Sequence, residues 1–411
     1  MPETAEIRGE VSSWLASTWD PERPLTQWRA LLADSGWGAP TWPTAYFGRG
    51  LDQAMATVVA QEFNRFGAVG PAAGSGMILA APTILEHGSD GLKRRLLRPI
   101  LTGEHKWCQL FSEPGNGSDL AGLITRAELD GDEWVVTGQK VWTTGAGHAA
   151  YAMLLARTDW GVPKHRGITY FALPMDQPGI DVRPLRQMNN HSSFNEIFLT
   201  DVRVPADHVV GEPGDGWRAA LTTLANERGL ATTRNVAFPR GAGGRTVREA
   251  TAEAAEYAKT YEWYPQRAGR ADLVNAQVRA AGSDPLLRQR AAALHAVAQS
   301  AAWNVERGRV ARTRGQAAGP EGSLGKLCAS EIARRSAAVH SSAAGAAAML
   351  TGPDSPLEGI IAEVLVSVPA VSIAGGTDQI QRTIIGERVL GLPREPQPDK
   401  DAPFRSVRVN R

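Results

Sequence analysis

Apolar positions recur at helical spacing through the first hundred residues. Trp28, Leu31 and Leu32 follow Leu25-Thr26 and stop at Ser35-Gly36, which predicts one helix. Met55, Val58, Val59 and Phe63 make a second stripe, closed by Gly67. Ser89 stands where it would cap a third helix carrying Leu92, Leu96 and Leu97, with Lys93, Arg94 and Arg95 on its solvated face. Near Lys106 the period shortens. Trp134-Val135-Val136 follows the hairpin-type turn Asp130-Gly131-Asp132, and β-like runs cover Tyr151–Ala156, Ile168–Leu173, Ile180–Leu185 and Phe194–Val204. From Gly216 the pattern is helical again and rich in alanine. Candidate helices run from Trp217 into the 230s and over Arg245–Thr260, Pro285–Arg312, Gly322–Ala348, Pro356–Val371 and Asp378–Val389. Helices, then strands, then helices predict an α+β fold. It comprises an N-terminal helical domain (1–105), a middle β-barrel-like domain (106–213), a C-terminal helical bundle (214–392) and an extended tail (393–411).

Composition narrows the function classes. The 411 residues hold 44 Lys+Arg against 43 Asp+Glu, a formal net charge of +1, so no basic field favours a nucleic acid or an acidic membrane. The two cysteines, Cys108 and Cys328, exclude a disulfide framework and a cysteine zinc cluster. The start Met1–Glu6 is acidic and lacks an apolar signal core, and Ile360–Ile373 is too short and too polar to span a bilayer, so a cytoplasmic location is expected. His148, His191 and His340 show no metal-ligand spacing, and no metal site is expected.

Two loops carry the candidate chemistry. Gln109-Leu110-Phe111-Ser112-Glu113-Pro114-Gly115-Asn116-Gly117-Ser118-Asp119 ends in a turn whose N–H groups and hydroxyls suit an anion or a polar ring edge. On its own such a loop is more commonly a plain β-turn, and its glycine spacing is not a dinucleotide fingerprint. The second loop is Gly138-Gln139-Lys140-Val141-Trp142-Thr143-Thr144. Together they resemble the middle domain of the acyl-CoA dehydrogenase superfamily. Phe194–Pro205 is similar to that family's last β segment, and Gly375-Gly376-Thr377-Asp378-Gln379-Ile380-Gln381-Arg382 to its C-terminal signature. The resemblance covers nearly the whole chain in the family's order.

The resemblance implies an FAD bound between the β domain and the bundle. It also implies removal of the Cα and Cβ hydrogens of an acyl-CoA thioester to give the trans-2-enoyl-CoA, with electrons passed to an electron-transferring flavoprotein. Carried over residue by residue, Gln109, Leu110, Phe111 and Ser112 match the strand along the flavin. Gly117 and Ser118 match the turn that meets the flavin pyrophosphate and the acyl-CoA. Trp142, Thr143 and Thr144 match the segment flanking the ring, with Thr144 a hydroxyl donor, and Thr377 and Gln379 match C-terminal flavin contacts. Such residue types suit the task, since aromatic and backbone contacts hold a planar ring and donors stabilise its charge on reduction.

Many relatives place the catalytic glutamate immediately before the Gly-Thr of the signature, where this chain has Gly375. A minority, resembling isovaleryl-CoA dehydrogenase, carries it as Glu-Arg on a bundle helix, and Glu227-Arg228 falls at that position. Glu227 is therefore the expected base, with the Gly375 amide polarising the thioester carbonyl, while Arg228 either touches substrate or holds the site's electrostatics, or else forms a plain helix salt bridge. The alternative is a surface glutamate paired with a neighbour. A base on that helix often goes with branched or bulky acyl groups in relatives, including sterol-derived CoA esters.

Two family features are missing. The Arg-x-x-Phe-Gly segment that reaches a neighbouring subunit's flavin is replaced by Ser283–Arg290, and the Gly-Gly loop by Val339–Gly345; the insertion Tyr261–Pro265 has no counterpart. The chain is thus expected as a homo-oligomer in which Arg288 or Arg290 takes the lost role, or as half of a heteromer with a second dehydrogenase-like subunit. A non-catalytic partner subunit, and an acyl-CoA oxidase or flavin monooxygenase on the same fold, are the alternatives.

Overall fold

A computed structural model describes residues 2–227, 243–280, 284–314, 321–396 and 399–407. The chain divides into two compact units. The first comprises Met1–Leu185, Ser193–Thr260 and Gln397–Arg411, the second Arg186–Ser192 and Tyr261–Pro396.

The first unit opens with α1 (Pro2–Thr18), α2 (Leu25–Ser35), α3 (Gln53–Phe66), α4 (Ala81–His87) and α5 (Asp90–Thr102). Asp52 and Ser89 cap α3 and α5 by accepting the N–H groups of Met55 and Leu92, and Gly67 and Gly103 end these helices in left-handed conformation. The stripes of α2 and α3 meet around Trp28, Leu32 and Phe63, while Leu92, Leu96 and Leu97 of α5 pack in a separate core. A π-helical stretch over Gly76–Ala80 leads into α4, and a Cβ on Gly76 would stand 3.1 Å from the Trp107 ring, a tight approach that glycine eases.

Seven strands form a curled sheet: β1 (Trp107–Leu110), β2 (Arg126–Asp130), β3 (Glu133–Thr144), β4 (Tyr151–Arg157), β5 (Ile168–Pro174), β6 (Ile180–Leu185) and β7 (Phe194–Pro205). The order is β1-β4-β2-β3-β7-β6, with β5 paired to β4. Strand β4 is apolar at successive positions because both its faces are covered. Ala152, Leu154 and Ala156 enter the core within the curl, while Met153 and Leu155 pack with Leu96, Ile100 and Ala219. Helix α6 (Gly216–Glu227) lies on that outer face, and α7 (Arg245–Lys259) joins the N-terminal helices through Val247, Ala250 and an Arg29–Glu253 ion pair at 2.7 Å.

The second unit holds α8 (Tyr264–Arg267), α9 (Val274–Ala280), α10 (Pro285–Thr313), α11 (Glu321–Ala344), α12 (Ile360–Ser367) and α13 (Asp378–Arg388). Its cores are small, around Leu287, Leu294 and Val339 and around Ala333, Val364 and Val368, as alanine-rich helices dictate. The run expected as one helix over Pro356–Val371 is a 3-10 turn, then α12, then a second 3-10 turn from Val368; Pro369 lacks the N–H that a continuing helix needs. In the insertion, Trp263 is buried and stacks edge-on with Tyr264. His191 meets Glu262 at 3.0 Å through Nδ1 and Glu363 at 2.9 Å through Nε2, tying the β6–β7 connection to α12 within this unit. The segment expected as an extended tail contains a 3-10 turn at Phe404–Ser406, with Phe404 buried against the Arg157 guanidinium and the Trp160 ring.

Candidate functional site

The two motif loops lie side by side. Thr143 Oγ1 donates to the Gln109 carbonyl at 3.1 Å, Val141 N–H to the Ser112 carbonyl at 3.0 Å, and Lys140 Nζ to the Phe111 carbonyl at 3.0 Å. Gln109–Ser112 therefore runs beside Lys140–Thr144. Leu110 and Phe111 are buried, Leu110 within the sheet core and Phe111 edge-on against Tyr170 at 5.8 Å, so their main chain is what they offer outward. Gln109, Ser112 and Thr144 are half-buried.

Trp142 departs from the strand. Pairing of β3 with β7 slips between Lys140 and Thr143, and Trp142 takes φ 65° there. A left-handed backbone at a bulky residue is strained, and bulges re-aim side chains. The ring stands 57% exposed, edge-on to Phe194 at 5.7 Å. Asn195 Nδ2 donates to the Thr143 carbonyl at 3.0 Å and so closes the bulge from β7.

Beneath this surface lies an ion pair that the motif letters did not disclose. Lys140 is fully buried, and its Nζ sits 2.9 Å from Glu113 Oε1. Glu113 also accepts the N–H groups of Ile124 at 2.7 Å and Thr125 at 2.9 Å. Burial alone would raise the Glu113 carboxyl, but the Lys140 ammonium and these hydrogen bonds outweigh it and hold the group below its usual range. Burial pushes Lys140 down against the opposing Glu113 carboxylate. The sequence alone did not mark Lys140 as buried, since Gln139, Thr143 and Thr144 beside it are polar; once buried, a lysine demands a partner.

The turn after Glu113 is closed by reciprocal Glu113–Asn116 main-chain hydrogen bonds at 3.1 and 3.0 Å. Gly117 and Ser118 are exposed, whereas Asn116 is buried with its Nδ2 lacking a partner among the described residues. An outward aromatic plane, half-buried hydroxyls and an exposed Gly-Ser turn with a spare donor fit the ring and phosphates of a flavin nucleotide.

Helix α6 carries Glu227 at its last described position. Gly216, Ala219, Ala220 and Thr223 are its buried residues, and Glu227 continues their i, i+3, i+4 series, half-buried, whereas Leu221 and Ala225 face outward. Thr223 accepts or donates within a buried hydroxyl set with Thr83 at 2.8 Å and Tyr170 at 3.2 Å. Arg228 lies outside the described residues.

The C-terminal signature is organised within the second unit. Gly375 and Gly376 have φ 67° and 82°, and Thr377 caps α13 by accepting Ile380 N–H at 3.2 Å. Gln381 Nε2 donates to the Gly375 carbonyl at 3.0 Å, fixing that peptide, while its Oε1 has no partner among the described residues. A Cβ on Gly375 would meet nothing within 4 Å among the described residues, although the left-handed φ there disfavours any side chain. Gln379 is exposed. Arg288 is exposed at the start of α10, and Arg290 bonds Ser342 on α11.

Asp378 anchors this segment through Lys326 at 2.9 Å and Arg334 at 2.8 Å. Burial opposes its ionisation, but hydrogen bonds from Lys326, Ser330 and Arg334 prevail and hold its carboxyl at about 2. The folded value lies below the unfolded one, so this stabilisation is complete above the ordinary Asp range and is lost as pH falls toward 2. Thermal melts between pH 6 and 3 should show a steeper acid loss for the parent than for Asp378→Asn; parallel curves would remove Asp378 from the acid response.

Among the described residues no group of His, Cys, Asp and Glu could hold a metal ion, and no helix is long and apolar enough to cross a membrane.

Residues 4–104, 108–202 and 214–390 match the models of the acyl-CoA dehydrogenase N-terminal, middle and C-terminal domains. Acyl-CoA dehydrogenase IpdE1 of Mycobacterium tuberculosis is 34% identical over 418 residues, covering 96% of this chain and 99% of that protein. Acyl-CoA dehydrogenase FadE34 of the same organism is 37% identical over 395 residues, where this chain spans 50% of the relative's length. Among solved structures, the ChsE4-ChsE5 complex from Mycobacterium tuberculosis matches at TM-score 0.62 and 27% identity over 96% of this chain and 99% of that one. The Tcur3481-Tcur3483 steroid ACAD matches at TM-score 0.63 and 25% identity over 96% and 99%.

Proposed function

The chain belongs to the acyl-CoA dehydrogenase superfamily, with FAD as its cofactor, and from that premise we propose that it oxidises a bulky, steroid-type acyl-CoA thioester to the trans-2-enoyl-CoA and hands the electrons to an electron-transferring flavoprotein. The observation that carries the reading is Trp142, held outward at a strained bulge beside Ser112 and Thr144. Bound there, FAD supplies the hydride acceptor for Cβ. Trp142 flanks the ring, Ser112 and Thr144 offer it hydroxyl donors, and the Gly117-Ser118 turn offers N–H groups to phosphate oxygens. Gln109, Leu110, Phe111 and Thr143 frame the ring with their main chain, and Thr377 and Gln379 supply the C-terminal contacts. Glu227, on the inward stripe of α6, takes the α-proton, and the Gly375 N–H donates to the thioester carbonyl and so lowers the proton's pKa. Arg228 keeps its proposed contact with substrate.

The steroid-type substrate and the heteromer are carried by relatives: the Tcur3481-Tcur3483 steroid ACAD and the ChsE4-ChsE5 complex. A half-site role for this chain agrees with its lack of an Arg-x-x-Phe-Gly segment. The test is to purify the chain alone and with a co-expressed second dehydrogenase-like chain, count flavin per chain, and add a steroid side-chain CoA thioester anaerobically. Bleaching of the flavin that persists until an electron-transferring flavoprotein is added supports the reading. Rapid reoxidation on admitting air would move it to an oxidase, and flavin-containing protein that no acyl-CoA bleaches would overturn it. One flavin per chain without a partner would favour the homo-oligomer.

A further inference from the structure

The segment Asp399–Val407 does more than end the described chain. Phe404 is 2% exposed, and the Arg157 guanidinium lies 3.4 Å from the centre of its ring, with the Trp160 ring tilted beside both, 5.5 Å from Phe404 and 5.6 Å from the guanidinium. The segment is tied down by its main chain, Phe404 N–H donating to the Val162 carbonyl at 2.9 Å and Arg405 N–H to the Trp160 carbonyl at 3.0 Å. Arg157, at the end of β4, is itself fully buried and has no carboxylate within salt-bridge distance among the described residues. It spends its donors on main-chain carbonyls: Nε on Leu123 at 3.1 Å, one terminal nitrogen on Ala121 at 2.8 Å and the other on Lys164 at 3.1 Å.

These bonds fix the plane of the guanidinium by its edge. What remains is its face, and Phe404 covers it. A desolvated cation gains from an aromatic face, and the ring keeps water from competing for the N–H groups. Two of the carbonyls so held, those of Ala121 and Leu123, belong to the arm that leaves the exposed Gly117-Ser118 turn, and the third is that of Lys164. From the other side Glu113 holds Ile124 and Thr125, and Lys164 reaches Asp119 at 2.7 Å. The turn is thus suspended between two clamps, one of which depends on a residue nearly 250 positions further along the chain.

We infer that Phe404 is a positioning residue for the Gly117-Ser118 turn, acting through Arg157 on the placement of the phosphate groups that the turn binds. The inference rests on the reading of that turn given above. It is tested in the holoenzyme with Phe404→Leu, which keeps apolar volume but removes the ring, and Phe404→Tyr, which keeps the ring. Ser118→Ala is the control for the turn itself. Free coenzyme A is titrated by calorimetry, and amide exchange is followed over 115–125 and over the β4–β5 core.

Phe404→Leu should bind coenzyme A about tenfold more weakly, the scale of one lost hydrogen bond. Exchange should quicken over 115–125 while the β4–β5 amides stay protected, and Phe404→Tyr should restore both. Parental affinity and exchange in Phe404→Leu, with Ser118→Ala weakened, overturn the inference and leave the site reading standing. Faster exchange throughout β4–β5 also overturns it, since Phe404 would then merely hold the fold. Parental affinity in Ser118→Ala and Phe404→Leu together would reject the turn as a phosphate site and the inference with it.

Discussion

Glu227→Gln should retain its flavin yet reduce it with substrate about 10²–10⁴-fold more slowly, the usual worth of a positioned general base. The amide has the shape of the carboxylate but cannot take a proton at neutral pH. Two features of the chain converge on this residue. Gly375 leaves no acceptor at the signature position, and Glu227 extends the buried stripe Gly216, Ala220, Thr223 rather than the outward one. A glutamate on the outward stripe would be solvated and held near its ordinary acidity by water. One that follows Thr223 by a single turn is directed toward the same interior as the Thr83–Tyr170 hydroxyl set. Anaerobic rapid-mixing absorbance reads the rate directly. Parental kinetics of bleaching in the variant would transfer the base to another residue.

Lys140→Met should lower stability by about 3–5 kcal/mol, the cost of leaving a buried charge without its partner. The Glu113 carboxylate would keep only its main-chain donors from Ile124 and Thr125. With the ammonium gone, burial would prevail and raise the Glu113 carboxyl above its unfolded value. The sign of the pH dependence then reverses. In the parent a depressed Glu113 stabilises above the ordinary carboxylate range and ceases to do so in acid. In the variant a raised Glu113 disfavours folding as pH climbs, so the deficit should shrink toward pH 5. Denaturant melts at pH 5 and 7.5 measure it, and Lys140→Met with Glu113→Gln should recover part of the loss. Equal melts of parent and single variant at pH 7.5 would show that the pair is energetically idle.

How much of this was legible beforehand depends on what each feature is made of. Helix stripes, caps and the polar turns between strands are local, so α3, α5 and the hairpin at Asp130–Asp132 were readable from spacing alone. Strand β4 was found as an apolar run, but that it is covered on both faces depends on elements far along the chain. The Pro356–Val371 stretch misled because its apolar spacing is helical while Pro369 breaks the hydrogen-bond ladder. At the site, resemblance pointed to Ser112, Trp142 and Thr144. It gave no hint of the register slip that turns Trp142 outward, since a bulge is a property of two strands. Arg157 was invisible for a similar reason: its partners are carbonyls, which every residue possesses.

The backbone at Trp142 bears on how this chain responds to engineering. A left-handed conformation at a bulky residue costs on the order of 1–3 kcal/mol. Glycine would relieve it outright and asparagine in part. A search that ranks variants by melting temperature, or a redesign that optimises backbone comfort, will therefore favour position 142 as an easy improvement. The variants so selected would be sturdier proteins with an empty aromatic wall. Given the flavin-flanking role proposed for Trp142, thermal robustness and cofactor retention should pull in opposite directions at this residue, and a stabilisation campaign should hold position 142 fixed.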